Sequence, residues 1–220
     1  MTIRIQPSIL SADFANFERD FESISAADGI HVDVMDGHFV PNMTFGIPMV
    51  KRMQEITKLP LDVHLMIENP DFWAKKYAEL GVFSVTVHLE ACADPKQIAK
   101  DIKDAGSRAG LAIKPKSELS EIVPYLDSYD QILIMSVEPG FGGQSFIESS
   151  VAKVIEAKAL LGDKDMWLQI DGGVDESNIA ELARAGVDTF VAGSAVFKAS
   201  DRNAQINLLR DLAEQGSHEH

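Results

Sequence analysis

The 220 residues contain a single cysteine, Cys92, so no intrachain disulfide can form and a reducing compartment is expected. No uncharged run approaches the ~18 residues of a membrane span. The opening Met1-Thr-Ile-Arg-Ile-Gln-Pro7 lacks the basic-then-apolar pattern of a secretory signal. Basic residues are also scarce: 20 Lys and Arg stand against 34 Asp and Glu, a net charge of −14. Nucleic acid and anionic membrane both require a basic footprint, so neither is expected as a partner. An anionic ligand would have to be attracted locally, by a metal, helix N-termini or backbone N–H groups. Linkers and low-complexity inserts are missing, and no Gly-x-Gly-x-x-Gly follows the first strand-like run, which argues against dinucleotide binding. These absences together predict a cytoplasmic globular protein, and its 45% hydrophobic content is ample for a core.

Strand and helix signals alternate along what remains. Strand-like runs fall near Ile3–Ile9, Ile30–Asp36, Leu61–Ile67, Phe83–Leu89, Gly110–Lys114, Gln131–Val137, Trp167–Asp171 and Thr189–Gly193. They are short, rich in Ile and Val, and followed by Gly, Pro, Asp or Asn. Between them, Phe14, Phe17, Phe21 and Ile24 recur at helical spacing. Asn69-Pro70 and Asp94-Pro95 read as N-caps with proline at the first helical position. Ser150–Leu161, Ser177–Ala185 and Asn203–Glu214 fit further helices. Eight β-then-α units imply a parallel sheet with right-handed crossovers, and at this length they favour one closed (β/α)₈ barrel, a TIM barrel, over 1–215. Gly216-Ser-His-Glu-His220 reads as a disordered tail, so His218 and His220 are set apart from any site.

Two segments carry most of the chemistry: His31-Val-Asp33-Val-Met35 and Asp62-Val-His64-Leu-Met66. In a strand, residues two apart share a face, so His31, Asp33 and Met35 point one way while Val32 and Val34 point the other. Asp62, His64 and Met66 behave alike, against Val63 and Leu65. Histidines and carboxylates inside a strand need a compensating partner. A barrel of this kind places its active site at the C-terminal rim of the strands. Ser8, His31, Asp33, His64 and Asp171 all fall toward that rim. Two imidazoles and two carboxylates converging on the axis make a competent divalent-metal site, suited to Zn²⁺, Fe²⁺, Mn²⁺ or Co²⁺. The plainer reading, structural polar residues bonded to neighbours, suits an isolated histidine better than this matched set. His88 and Glu90 are read as supporting or structural, and Asp62 as orienting His64 by a hydrogen bond.

Glycines mark a second region. Pro139-Gly140-Phe141-Gly142-Gly143-Gln144 follows the sixth strand and suits a loop able to close over a ligand. Asp171-Gly172-Gly173 and Gly193-Ser194 end the seventh and eighth strands, where this fold recurrently binds phosphate through backbone N–H groups. Met35, Met66 and Met135 are expected to face the interior near the rim, as packing or as a water-poor lining.

The same residues carry a resemblance. His31-Val-Asp-Val-Met-Asp-Gly-His-Phe-Val-Pro-Asn42, Asp62-Val-His-Leu-Met66, Met135-Ser-Val-Glu-Pro-Gly-Phe-Gly-Gly-Gln-Ser-Phe146, Ile170-Asp-Gly-Gly-Val174 and the opening Pro7-Ser-Ile-Leu-Ser-Ala-Asp13 resemble the ribulose-phosphate 3-epimerase family. The resemblance spans nearly the whole chain. It implies interconversion of D-ribulose 5-phosphate and D-xylulose 5-phosphate in the pentose phosphate pathway, one divalent metal per subunit with Zn²⁺ favoured, and a homo-oligomer. It also implies His31, Asp33, His64 and Asp171 as metal ligands, with Asp33 and Asp171 as the acid/base pair. Ser8, His64, Gly140, Phe141, Gly142, Gly143, Asp171, Gly172, Gly173, Gly193 and Ser194 match substrate-binding positions. One departure is Lys114 before Pro115, where many members have Asn; it is expected to reach the rim and alter charge near the substrate.

Rival readings are a 3-epimerase of a related sugar phosphate such as D-allulose 6-phosphate, and a phosphate-ligand-binding barrel without turnover. A decarboxylase or hexulose-phosphate synthase would need Asp-x-Lys-x-x-Asp on a strand, and the third strand has no lysine.

Overall fold

Ile- and Val-rich runs become eight strands: β1 (Arg4–Pro7), β2 (Ile30–Met35), β3 (Leu61–Met66), β4 (Ser84–His88), β5 (Arg108–Ile113), β6 (Gln131–Met135), β7 (Trp167–Asp171) and β8 (Thr189–Ala192). The structure, a computed structural model, describes residues 2–218. All pairings are parallel, in the order β1-β8-β7-β6-β5-β4-β3-β2, and a bridge between Ser8 and His31 joins the two ends into a barrel. The helices are α1 (Phe17–Glu22), α2 (Ile47–Ile56), α3 (Pro70–Ala78), α4 (Pro95–Asp104), α5 (Ser150–Leu161), α6 (Ile179–Ala185), α7 (Ser194–Phe197) and α8 (Arg202–Ser217).

Both strand faces are buried, as parallel sheets require. The outward face, including Val32, Val34, Val63 and Leu65, packs under the helices in the main hydrophobic core. The inward face is largely polar low in the barrel. There Asp62 accepts from Ser84 Oγ (2.5 Å), Gln169 Nε2 (2.7 Å) and Gln131 Nε2 (3.4 Å). Gln169 Nε2 also reaches Gln6 Oε1 at 2.7 Å, so side chains from β1, β3, β4, β6 and β7 interlock. A buried carboxylate with this many donors stays charged, and its pKa lies below the usual range although burial opposes that.

Helix starts follow their capping residues. Asn69 and Asp94 accept from the backbone N–H of Phe72 and Gln97 ahead of Pro70 and Pro95. Three differences from the sequence expectations have physical causes. Helix α1 begins only at Phe17, because Phe14 lies before the helix with its ring edge-on to Phe45 at 5.0 Å. The β5–β6 connection holds two short 3₁₀ turns, Leu119–Glu121 and Val123–Ser128, where Pro124 supplies no N–H for an α-helix. The tail expected from Gly216 is corrected too. Helix α8 continues through Ser217, and Gly216 is buried because a Cβ there would stand 2.1 Å from the Ala180 carbonyl oxygen on α6. The helices approach so closely that only glycine fits. The remainder of that expectation, 219–220, lies outside the described residues.

Candidate active site and metal centre

Register brings the polar residues of β2 and β3 together. His31 pairs with Asp62, Asp33 with His64, and Met35 with Met66. Asp171 closes β7 on the far side of the seam between β2 and β1. His31, Asp33, His64 and Asp171 each turn one ligand atom toward a common point, all within 4.8 Å of one another. His31 Nε2 lies 3.3 Å from His64 Nδ1, 3.4 Å from Asp33 Oδ1 and 3.7 Å from Asp171 Oδ2. His64 Nδ1 lies 3.3 Å from Asp33 Oδ1 and 3.7 Å from Asp171 Oδ2.

These separations fit a cation. Four ligands about 2.0–2.1 Å from a tetrahedral Zn²⁺ stand about 3.3–3.4 Å from one another. The support of His31 fits as well: its Nδ1 meets Asp62 Oδ2 at 2.8 Å, so Nδ1 carries the proton and Nε2 is turned toward the cluster. The electrostatics ask for positive charge. Burial disfavours a charged His31, yet Asp33 and Asp62 outweigh it and hold its pKa well above the usual value. Burial likewise opposes the Asp33 carboxylate, but His31 and His64 keep its pKa below the usual range. His64 is raised by Asp171 and Asp33 against the same desolvation.

Above this cluster opens a cavity of about 560 Å³, counting the solvent at its mouth. Ser8, Asp33, Met35, Met66, Met135, Gly140, Phe141, Gly142, Gly143, Asp171, Gly172, Gly173, Gly193 and Ser194 line it. His31 and His64 do not: both are fully buried and form the layer below its floor. Asp33 and Asp171 therefore belong to both the cluster and the cavity. Ser8 Oγ donates to Asp33 Oδ2 at 2.6 Å, while Asp33 Oδ1 turns to the histidines. Gly172 sits at φ +123° with its Cα against Val137, a conformation and an approach that a side chain would obstruct. No lysine or arginine lines the cavity among the described residues.

Two sequence expectations are corrected. Asp62 orients His31, not His64, because it stands beside His31 in the register. Lys114 does not line the cavity; its Nζ rests over the Phe39 ring, 3.8 Å from the centroid. In the glycine loop, Gln144 Nε2 donates to the Glu138 and Phe141 carbonyls, and Asn42 Nδ2 to that of Gly140.

Other residues escaped the sequence reading. Leu10, Ser11, Val137, Val174 and Val191 also line the cavity. Ser11 was detectable, since three residues per 3₁₀ turn bring Ser8 and Ser11 to one side of the Ile9–Ser11 turn. His88 meets His64, Nε2 to Nε2, at 2.9 Å, and Glu90 Oε2 lies 3.2 Å from His88 Nδ1. Burial lowers His88 to about 4. Glu90 is held at about 2, against burial, by His88, Ser117 and the Lys114 N–H. Cys92 takes no part: its thiol donates to the His88 carbonyl and burial pushes it up to about 12.

The chain is similar to known proteins in sequence and in fold. Residues 4–197 match the family model described as Ribulose-phosphate 3 epimerase family. Ribulose-phosphate 3-epimerase of Mycobacterium leprae is 48% identical over 211 residues, covering 95% of this chain and 94% of the relative. That of Bacillus subtilis is 43% identical over 213 residues, covering 94% and 98%. Among solved structures, KGPDC from Streptococcus mutans superposes with a TM-score of 0.75 over 98% of this chain and 99% of its own; at 14% identity that likeness concerns the fold alone. With 40–48% identity across nearly the full length of such relatives, the chain belongs to the ribulose-phosphate 3-epimerase family.

Proposed function

We propose that this chain inverts C3 of a ketose phosphate, converting D-ribulose 5-phosphate to D-xylulose 5-phosphate, with Asp33 and Asp171 as the two acid/base groups. The observation that carries the reading is that carboxylates from two non-adjacent strands, β2 and β7, reach both the buried cluster and the cavity above it. Inversion at one carbon requires a proton to leave from one face and another to arrive on the opposite face. A single base returns the same epimer unless the intermediate turns over. Two carboxylates on separate strands supply both faces.

A carboxylate is a weak base for a carbon acid, so the enediolate charge must be stabilised. His31, Asp33, His64 and Asp171 would hold a divalent cation, Zn²⁺ being favoured by the donor set, and such an ion when bound would supply that stabilisation as a Lewis acid. Asp33 takes the C3 proton of the ribulose epimer and Asp171 delivers one from the other side. Ser8, donating to Asp33 Oδ2, holds that carboxylate in place between substrate and cluster. Met35, Met66 and Met135 keep the reacting carbon away from bulk water. In the absence of lining lysines or arginines, backbone N–H groups at Gly172, Gly173, Gly193 and Ser194, with the Ser194 hydroxyl, receive the phosphate. Phosphate binding far from C3 fixes that carbon between the two acids. We place the reaction in the cytoplasm, consistent with a chain of one cysteine.

A substrate panel with metal analysis tests the assignment. Protein carrying about one divalent ion per chain is expected to equilibrate D-ribulose 5-phosphate with D-xylulose 5-phosphate faster than it turns over D-allulose 6-phosphate, and to lose turnover on chelation. Preference for the hexulose phosphate would reassign the substrate. Binding of both sugars without turnover would leave only a ligand-binding barrel, and activity surviving verified metal removal would contradict the Lewis-acid role.

A further inference from the structure

We infer that Glu90 and His88 are positioning residues that hold His64 in the one tautomer able to offer Nδ1 to a cation. The inference rests on the reading of His64 as a ligand. The two cluster histidines are supported differently. His31 is backed directly by a carboxylate, Asp62, at 2.8 Å. His64 is backed by another imidazole, with 2.9 Å between the two Nε2 atoms. Two ring nitrogens at that distance share one proton, and which ring holds it is undetermined by the pair alone.

Glu90 decides it. Its Oε2 lies 3.2 Å from His88 Nδ1, and a carboxylate only accepts, so His88 carries its proton on Nδ1. The Nε2 of a neutral His88 is then a lone pair and accepts from His64 Nε2–H. His64 Nδ1 is left unprotonated, facing His31, Asp33 and Asp171. The carboxylate is itself anchored, with Oε1 accepting from the backbone N–H of Lys114 at 2.7 Å and from the Ser117 hydroxyl. The His88 ring is steadied by Phe39, 4.8 Å away between centroids, on which Lys114 rests. Lys114 thus belongs to the shell that holds His88, through its backbone N–H on Glu90 and its ammonium on Phe39.

Glu90→Gln separates this role from mere packing. The two donors at Oε1 keep the amide oxygen there, so the amide N–H₂ turns toward His88 Nδ1. That demands a lone pair on His88 Nδ1 and a proton on Nε2, which drives the His64 proton to Nδ1. His88→Gln removes the dependence, because an amide oxygen near the former Nε2 accepts from His64 whatever stands at 90. Zn²⁺ affinity is measured by competition with a chromophoric chelator for the wild type, both single variants and the double variant, with folding followed by circular dichroism. Glu90→Gln is expected to weaken Zn²⁺ binding about 10- to 100-fold. His88→Gln is expected to stay within about threefold of wild type, and the double variant to match it. Equal losses from Glu90→Gln in both backgrounds, or none in either, would overturn the inference while leaving the metal centre standing. Failure of the wild type to bind Zn²⁺ at all would overturn both. If His88→Gln does not fold, ¹⁵N NMR of the Zn²⁺-loaded wild type and Glu90→Gln decides. The wild type is expected to show His88 protonated on Nδ1 and the variant to depart from it; a His88 proton on Nε2 in the wild type contradicts the relay.

Discussion

Asp62 shows how far a single residue can act on a site it does not enter. It is 1% exposed, accepts from Ser84, Gln131 and Gln169, and meets His31 Nδ1. An anion behind an imidazole raises the basicity of the opposite nitrogen and fixes the ring. Asp62→Asn is expected to lower Zn²⁺ affinity about 10- to 100-fold, read by chelator competition, while Asp33 and Asp171 remain in place. Unchanged affinity would show that Asp62 serves only the polar network of the barrel floor. Alternation along β2 and β3 made His31, Asp33 and His64 legible, because period two alone puts them on one face. The partner of Asp62 was not legible, since it depends on the lateral register of β2 against β3. His88 and Glu90 were legible as supporting residues, but their link to His64 was not, for a similar reason: they stand on and after β4, and nothing in the linear order says that an imidazole on β4 turns toward β3.

At the scale of elements, the strands were the legible part, because Ile- and Val-rich runs bounded by turn residues have few other ways to be buried. Helices α3 and α4 were equally plain from their Asn-Pro and Asp-Pro starts. Ends were harder. Polar composition made Gly216 and Ser217 read as tail, whereas α8 carries through them because a glycine lets it lie on the backbone of α6. Gly216→Ala gains helix propensity of about 1 kcal/mol but forces the two backbones apart, at about 2–3 kcal/mol, the upper part of the overpacking range because the new Cβ meets backbone atoms of Ala180. A net loss of about 1–2 kcal/mol is expected, seen as a melting temperature lower by about 2–8 °C for a chain of this size. An unchanged or higher melting temperature would mean that the contact between α8 and α6 yields without cost. In the glycine loop after β6, the carbonyls of Glu138 and Phe141 accept from Gln144 and that of Gly140 accepts from Asn42 of the β2–α2 connection, partners that depend on side chains brought together only by the fold.

For the whole molecule, the barrel does two jobs that its sequence announces together. Eight parallel strands put their C-terminal ends on one rim, so groups distant in the chain, Ser8, Asp33, His64, Asp171 and Ser194, gather about one cavity and the layer below it. With a net charge of −14, the proposed function needs phosphate attraction to come from backbone dipoles and a cation at the cluster rather than from surface basic residues. Epimerisation in this barrel depends on a division of labour between the two carboxylates, Asp33 and Asp171, as proposed. The direct measurement follows C3 hydrogen exchange and epimer formation together, in deuterated water, for Asp33→Asn and Asp171→Asn normalised to metal content. Both variants are expected to lose epimerisation by at least about 10²- to 10⁴-fold, the usual contribution of an acid/base group. At least one should still exchange the C3 hydrogen of a single epimer. Full epimerisation by either variant would contradict the two-base assignment.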